Sequence, residues 1–328
     1  MSAARYLIVV LVTFCGLLIL AALNAWLQSD APTKNGYYTC SYIRAKIARG
    51  STIASPKLVI ASGSNATAGI SVPLLDRDLS IRAFNFGLSA SFGPGFQLFE
   101  ASKIVRPGDA VLMPLEYLAY DYSTPRSSLV DAVYTCGTDY WRSLDWRDKL
   151  FFAIAVRPWR ILDSLWFRRR AHALAAVASQ AESVVGPYGQ GTAAENGPRT
   201  MTTSGEAVAS HDPLDIHLDP DSSGAEAIRR FVAWAHRHQV TVFATWPTTL
   251  YYPQYENYPA FARIRAFYRG LGVTIVGTPE DSMYPIALMG DTIYHLNRAG
   301  MEVNTTRLIR SLRADPAFLA WQRAGAAR

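Results

Sequence analysis

The hydrophobic pattern divides the chain into an apolar leader and a longer stretch in which short apolar runs alternate with amphipathic ones. Residues 6–23 read YLIVVLVTFCGLLILAAL without a charge, and the apolar character continues through Ala25, Trp26 and Leu27. At 1.5 Å per residue, about twenty such residues cross the roughly 30 Å hydrocarbon core of a bilayer. Further on, compact apolar runs occupy residues 57–61, 81–86, 110–114 and 240–245, and a fifth covers 273–276. Short, non-alternating runs of this kind fit strands of a parallel sheet buried on both faces. Helical periodicity fills the gaps at 95–105, 127–134, 225–238, 259–271 and 298–313. The alternation predicts an α/β sheet with helices on both faces, behind one N-terminal transmembrane helix. Ligands of such sheets bind beyond the carboxyl ends of the strands.

The leader reads as an uncleaved anchor. A signal peptide carries an apolar region of about 7–15 residues, shorter than this one. Leu23 also spoils a cut after Ala25, and Phe14 before Cys15 spoils a lipoprotein site. Trp26 would mark a membrane interface. The expected organisation is an anchor over 1–28, a tether and short lead-in helix over 29–50, and an α/β domain over 51–328.

Two segments interrupt the domain. Residues 137–185 form a mostly helical insertion with Trp141, Trp146, Trp159 and Trp166 beside Arg157, Arg160 and Arg168–Arg170, which Pro158 should split. It fits either an ordinary insertion whose aromatics pack on the sheet or a surface that meets a membrane. Residues 186–223 lack periodicity, as a functional lid or a disordered loop would.

Composition narrows the classes. Of 328 residues, 50% are hydrophobic, which excludes disorder of the whole chain, and no repeat supports a fibrous or solenoid fold. The 32 Lys and Arg against 26 Asp and Glu give +6, compatible with lipid head groups or an acidic polymer and too diffuse for nucleic acid. Counting basic residues, Arg5 before the anchor against Lys34, Arg44 and Lys46 after it weakly favours a cytoplasmic domain, but large domains translocate largely regardless of charge. Three cysteines exclude a disulfide scaffold and a zinc site. Cys40 and Cys136 either pair, closing a loop worth about 4–5 kcal/mol in chain entropy, or stay as two buried thiols.

The candidate chemistry begins where the first strand ends, in Ser62-Gly63-Ser64-Asn65. A serine on a tight strand-to-helix turn lies near the positive end of the next helix, which favours an oxyanion. The turn is not a G-x-S-x-G elbow, because Ser62 and Ala66 stand at the outer glycine positions. Far downstream, Asp291 and His295 share a loop before the last predicted helix, with Asn297 placed to cap it. A carboxylate on Nδ1 fixes the imidazole tautomer and leaves Nε2 free to take a serine proton. His211 and His217 with Asp212, Asp215 and Asp219 read as a solvated loop rather than a metal site, and no cofactor is implied. Trp246, Tyr251, Tyr252, Tyr255 and Tyr258 follow the fourth strand, as a sugar-stacking platform or a packed loop core.

This order of pieces resembles the SGNH (GDSL-like) hydrolase superfamily. It is most similar to the membrane-anchored SGNH-like proteins of bacterial cell-envelope acyl transfer, the group of DltD and the alginate O-acetylation proteins. The matching pieces are Gly63-Ser64-Asn65 with Gly69-Ile70, Asn85-Phe86-Gly87, Pro114-Leu115-Glu116-Tyr117, and Asp291 through Asn297, in order over 57–120 and 225–313. The resemblance implies an SGNH/flavodoxin-like three-layer αβα domain of about five parallel strands. It makes Ser64 the nucleophile, His295 the base and Asp291 its orienting carboxylate, with the Gly87 and Ser64 N–H groups at the oxyanion. Beside the resemblance, Asn65 is a candidate replacement donor, and Glu116, Trp246 and Tyr251 are candidate substrate contacts. The sequence departs from the family in two places. Glu116 stands where an asparagine donor belongs, and four residues rather than three separate Asp291 from His295, which leaves Asp281 as a substitute.

The implied function is O-acyl transfer, in particular O-acetyl transfer to an envelope or exopolysaccharide glycan. The site would lie outside the cytoplasmic membrane and act with a membrane-bound O-acyltransferase or a polysaccharide synthesis complex. An esterase, or a non-catalytic assembly or glycan-binding subunit on the same fold, is the alternative.

Overall fold

A computed structural model describes residues 2–169, 171–190 and 213–326. The candidate metal residues His211 and Asp212, and most of the aperiodic loop, lie outside the described residues. The chain forms two compact units, one of Met1–Tyr42 with Thr124–Ala181 and one of Ile43–Ser123 with Glu182–Arg328.

The first unit is helical. Helix α1 (Ala3–Gln28) is long and apolar enough to cross a membrane. Five residues later α2 (Lys34–Thr52) begins and runs on into the second unit, so the expected tether shortens to residues 29–33. The Thr33 hydroxyl accepts the Gly36 N–H at 3.0 Å and sets this start.

The second unit is built on a parallel sheet. Strands β1 (Leu58–Ile60), β2 (Ala83–Asn85), β3 (Ala110–Met113), β4 (Thr241–Thr245) and β6 (Thr274–Val276) lie in the order β2-β1-β3-β4-β6. Every pair is parallel, and β1 is flanked by β2 and β3, with Ile60 opposite both Asn85 and Leu112. This is the flavodoxin-like doubly wound order, whose crevice opens where the winding reverses beside β1. A separate pair, β5 (Thr249–Leu250) and β7 (Met283–Tyr284), is also parallel.

Alternation along the strands separates two cores. Leu58, Ile60, Leu112 and Phe243 join α4 (Val72–Leu79), α13 (Arg298–Ala314) and α14 (Pro316–Ala326) through Leu75, Leu79, Leu308, Leu312 and Phe318. Val59, Val111 and Val242 therefore point to the opposite face. Helices α3 (Ser64–Gly69), α5 (Gly93–Ser102), α11 (Ser223–Arg237) and α12 (Pro259–Gly270) also belong to this unit. At the amino edge of the sheet, Lys57 and Asp109 form a fully buried ion pair at 2.8 Å. Asp109 also accepts the backbone N–H groups of Lys57 and Arg106.

Along the chain, α6 (Ser127–Cys136), α7 (Thr138–Ser143), α8 (Trp146–Ala155), α9 (Arg160–Arg168) and α10 (Ala171–Ser183) follow β3 and precede β4. Pro158 separates α8 from α9, as its missing N–H requires. Helix α6 belongs with them in the first unit, because Cys136 is bonded to Cys40 of α2 and Asp131 holds Arg160 at 2.7 Å.

Candidate functional site

The site lies at the carboxyl ends of β1, β2 and β3. After β1 the chain turns through residues 61–63 and enters α3 with Ser64 as its first residue. The turn is fastened from two sides. The Leu88 N–H donates to the Ser62 carbonyl at 2.9 Å, and the Ser62 hydroxyl donates to the Pro114 carbonyl at 2.6 Å.

The partner loop is closed on itself before it meets Ser64. Met289 and Leu296 form an antiparallel bridge, and Asn297 caps α13 by accepting the Gly300 N–H at 2.9 Å. The Thr248 hydroxyl donates to the Tyr294 carbonyl at 2.6 Å, and the Leu250 N–H donates to the Ile293 carbonyl at 2.8 Å. The segment after β4 thus braces the loop from outside.

These constraints bring together three residues far apart in sequence. His295 Nδ1 lies 2.7 Å from Asp291 Oδ1, and His295 Nε2 lies 2.8 Å from Ser64 Oγ. A carboxylate only accepts, so Nδ1 carries the proton and Nε2 accepts from the serine hydroxyl. The spacing of four residues does not displace Asp291. Asp281 is committed elsewhere, accepting from the Thr278 hydroxyl at 3.0 Å. The side chain of His295 is 16% exposed and that of Asp291 57% exposed, and Ser64 is half-buried.

The expected oxyanion groups are placed differently. Asn65 is buried, and its Nδ2 donates to the Pro114 carbonyl at 2.7 Å, so its amide is committed to bracing the turn. The Gly87 N–H donates to Asn85 Oδ1 at 2.9 Å, an engagement that a backbone motif cannot reveal. Gly87 is still required, since a Cβ there would come 2.5 Å from Thr67 Oγ1 and 2.9 Å from the Gly63 carbonyl. The Ser64 N–H, at the first position of its helix, has no intrahelical acceptor and points the positive end of α3 toward the site.

The expected substrate contacts also change. Glu116 is buried at 4% exposure and accepts the Asn65 N–H at 3.1 Å, so it is built into the turn that carries Ser64. Trp246 is buried, donates to the Gly277 carbonyl at 3.2 Å and packs edge-on against Phe261. Tyr252, Tyr255 and Tyr258 stack edge to face, so most of this aromatic group is a packed loop core. Tyr251 alone keeps a 44% exposed ring, its hydroxyl donating to Glu256 at 2.5 Å.

Lys46 of α2 is a site residue that the sequence reading passed over. Its fully buried ammonium donates to the Gly87 carbonyl at 2.6 Å and the Asn85 carbonyl at 3.1 Å, directly behind the Asn85-Phe86-Gly87 turn. Burial lowers its pKa to about 7. The signal was available: Ile43, Lys46 and Gly50 follow helical spacing, which places the lysine on the buried stripe. Tyr294, next to His295, is held well above its usual pKa by burial first and by the Glu116 charge next, so its hydroxyl stays protonated.

Among the described residues, no group of three or more His, Cys, Asp or Glu side chains is placed to hold a metal ion. Comparison with known protein families and with curated proteins yields no match to this chain.

Proposed function

We propose that this chain is a membrane-anchored, SGNH-like O-acyltransferase that carries an acyl group, in particular acetyl, on Ser64 to a hydroxyl of an envelope or exopolysaccharide glycan. The observation that carries the reading is the continuous chain Asp291–His295–Ser64, with both links between 2.7 and 2.8 Å. In the first step the Ser64 hydroxyl gives its proton to His295 Nε2 and its oxygen adds to the acyl carbonyl. The imidazolium, held by Asp291, then protonates the departing group and leaves an acyl-serine. In the second step His295 takes the proton of a sugar hydroxyl, whose oxygen attacks the ester, and returns that proton to Ser64 Oγ as the acyl–serine bond breaks. Water in place of the sugar makes the same site an esterase.

The Cys40–Cys136 bond supports an oxidising compartment and therefore a domain outside the cytoplasmic membrane, anchored by α1. A membrane-bound O-acyltransferase or a polysaccharide synthesis complex is the partner this reading calls for. One observation favours a second reading, a non-catalytic assembly or glycan-binding subunit. The Gly87 N–H is occupied by Asn85, and the Glu116 carboxylate lies at the turn that carries Ser64.

Exposure of the full chain in detergent to an activated acetyl ester, followed by intact mass, separates the two. An acetyl adduct on wild type that maps to Ser64 and is absent from Ser64→Ala and His295→Ala supports the enzyme. Folded wild-type protein with neither adduct nor ester turnover supports the subunit.

A further inference from the structure

Within the first unit, α8 and α9 leave a large apolar face uncovered. Trp146, Phe151 and Ile154 of α8 are 69%, 52% and 63% exposed, and Leu162 and Trp166 of α9, with Trp159 just before it, are 64%, 57% and 60% exposed. Trp159, Leu162 and Trp166 recur at spacings of three and four, so they share one side of the helix. So many exposed large apolar side chains on two consecutive helices are uncommon on a soluble protein and mark a contact with a partner or a membrane.

The contacts of α1 indicate which. The uncharged run of 18 residues over 6–23 has a length of about 27 Å, close to the hydrocarbon thickness. Asn24 and Gln28 thus fall at the bilayer surface. Asn24 Nδ2 donates to the Val156 carbonyl and Gln28 Nε2 to the Arg157 carbonyl, each at 2.9 Å. The corner between α8 and α9 is therefore fixed to the part of α1 that leaves the membrane. The charged groups around it are mostly basic: Arg147, Arg157, Arg168 and Arg169 are exposed, and the guanidinium groups of Arg147 and Arg157 lie 5.5 and 5.9 Å from the rings of Trp146 and Trp159. Tryptophan with arginine is the pairing that suits the head-group region, where a ring can sit in the acyl boundary while the cation meets phosphate.

We infer that the α8–α9 pair is a second, non-spanning membrane contact, its apolar face seated in the head-group and upper acyl region of an anionic bilayer beside α1. This rests on α1 crossing the bilayer, as proposed above. Two attachments in place of one would hold the first unit at a fixed depth and orientation on the membrane.

Spin-label accessibility of the full chain in vesicles of phosphatidylcholine and phosphatidylglycerol tests this. Cys15, a free thiol within α1, reports on the anchor. In a Cys15→Ser background, Ile154→Cys and Leu162→Cys report on the pair. The expected result is preference for oxygen over a soluble nickel complex at all three sites, strongest at Cys15 and unchanged when the protein-to-lipid ratio is varied. Aqueous nickel accessibility at 154 and 162 with Cys15 in the hydrocarbon overturns the inference and leaves the anchor intact. Aqueous accessibility at Cys15 overturns the anchor itself. Protection at 154 and 162 that grows with protein density identifies a second copy as the cover and also overturns the inference. Both positions are exposed, so the substitutions disturb no packing.

Discussion

Glu116 reaches across from the end of β3 and accepts the Asn65 N–H at 3.1 Å, one residue after Ser64. The absence of a side chain at residue 63 leaves the carboxylate room for this contact. A Cβ on Gly63 would lie 2.5 and 2.6 Å from the two Glu116 carboxylate oxygens. Sequence and site are thus coupled at two positions 53 residues apart.

Gly63→Ala is therefore expected to destabilise the fold by about 1–3 kcal/mol, the usual cost of overpacking, and to lower acylation of Ser64. Gly63→Ala/Glu116→Ala should lose less stability than the sum of the single variants, because the second change removes the clash. Additive losses in urea unfolding would show that Glu116 does not constrain the turn.

Asp291→Asn tests the tautomer. An amide can donate to Nδ1 and so favours the proton on Nε2, where it cannot accept from Ser64. The expected loss is up to about 10⁴-fold in acetyl-ester turnover, with the fold intact. Asp281→Asn should leave turnover near wild type, since Asp281 is occupied with Thr278. A reversed ranking of the two would remove Asp291 from the site.

The strands were legible because burial on both faces leaves an uninterrupted apolar run, and Ser64 with His295 because each sits next to a helix start. The surroundings were not. Whether the Gly87 N–H is free depends on the Asn85 side chain folding back, and whether Trp246 is a platform or a core residue depends on Phe261, 15 positions away. Motif spacing carries backbone position. Side-chain orientation is settled by partners from other elements, as with Lys46 beneath the turn it supports.

Lys46 should give stability a pH dependence with a definite sign. In the unfolded chain it holds its proton up to about 10.5, in the folded chain only to about 7. Between those values the unfolded state binds more protons, so stability rises with pH, by at most about 1.4 kcal/mol per unit. Below pH 7 both states are charged and this contribution is flat. Urea midpoints from pH 7 to 9.5 should rise in wild type and lose that slope in Lys46→Met. An equal slope in both proteins would assign it to other groups.

The ion pair at the amino edge of the sheet is asymmetric. Asp109 holds the Lys57 ammonium and two backbone N–H groups, while among the described residues the ammonium has Asp109 alone as its partner. Asp109→Ala strands a buried cation and two amides and is expected to cost about 3–5 kcal/mol. Lys57→Met leaves the carboxylate with its two amides and should cost less. Thermal unfolding that ranks Lys57→Met as the more damaging change would contradict this account.

Ser64 and His295 are 231 positions apart, and the hydrogen bond between them is among the last contacts a growing chain can make. Synthesis runs from the N-terminus, so the serine emerges long before its base. Until the loop at 288–297 has docked under Thr248 and Leu250, Ser64 lacks its imidazole partner. If Ser64 is the nucleophile proposed above, a contact of such high sequence separation makes its activation coincide with completion of the fold, and a nascent, truncated or partly unfolded chain would carry it in an inert form.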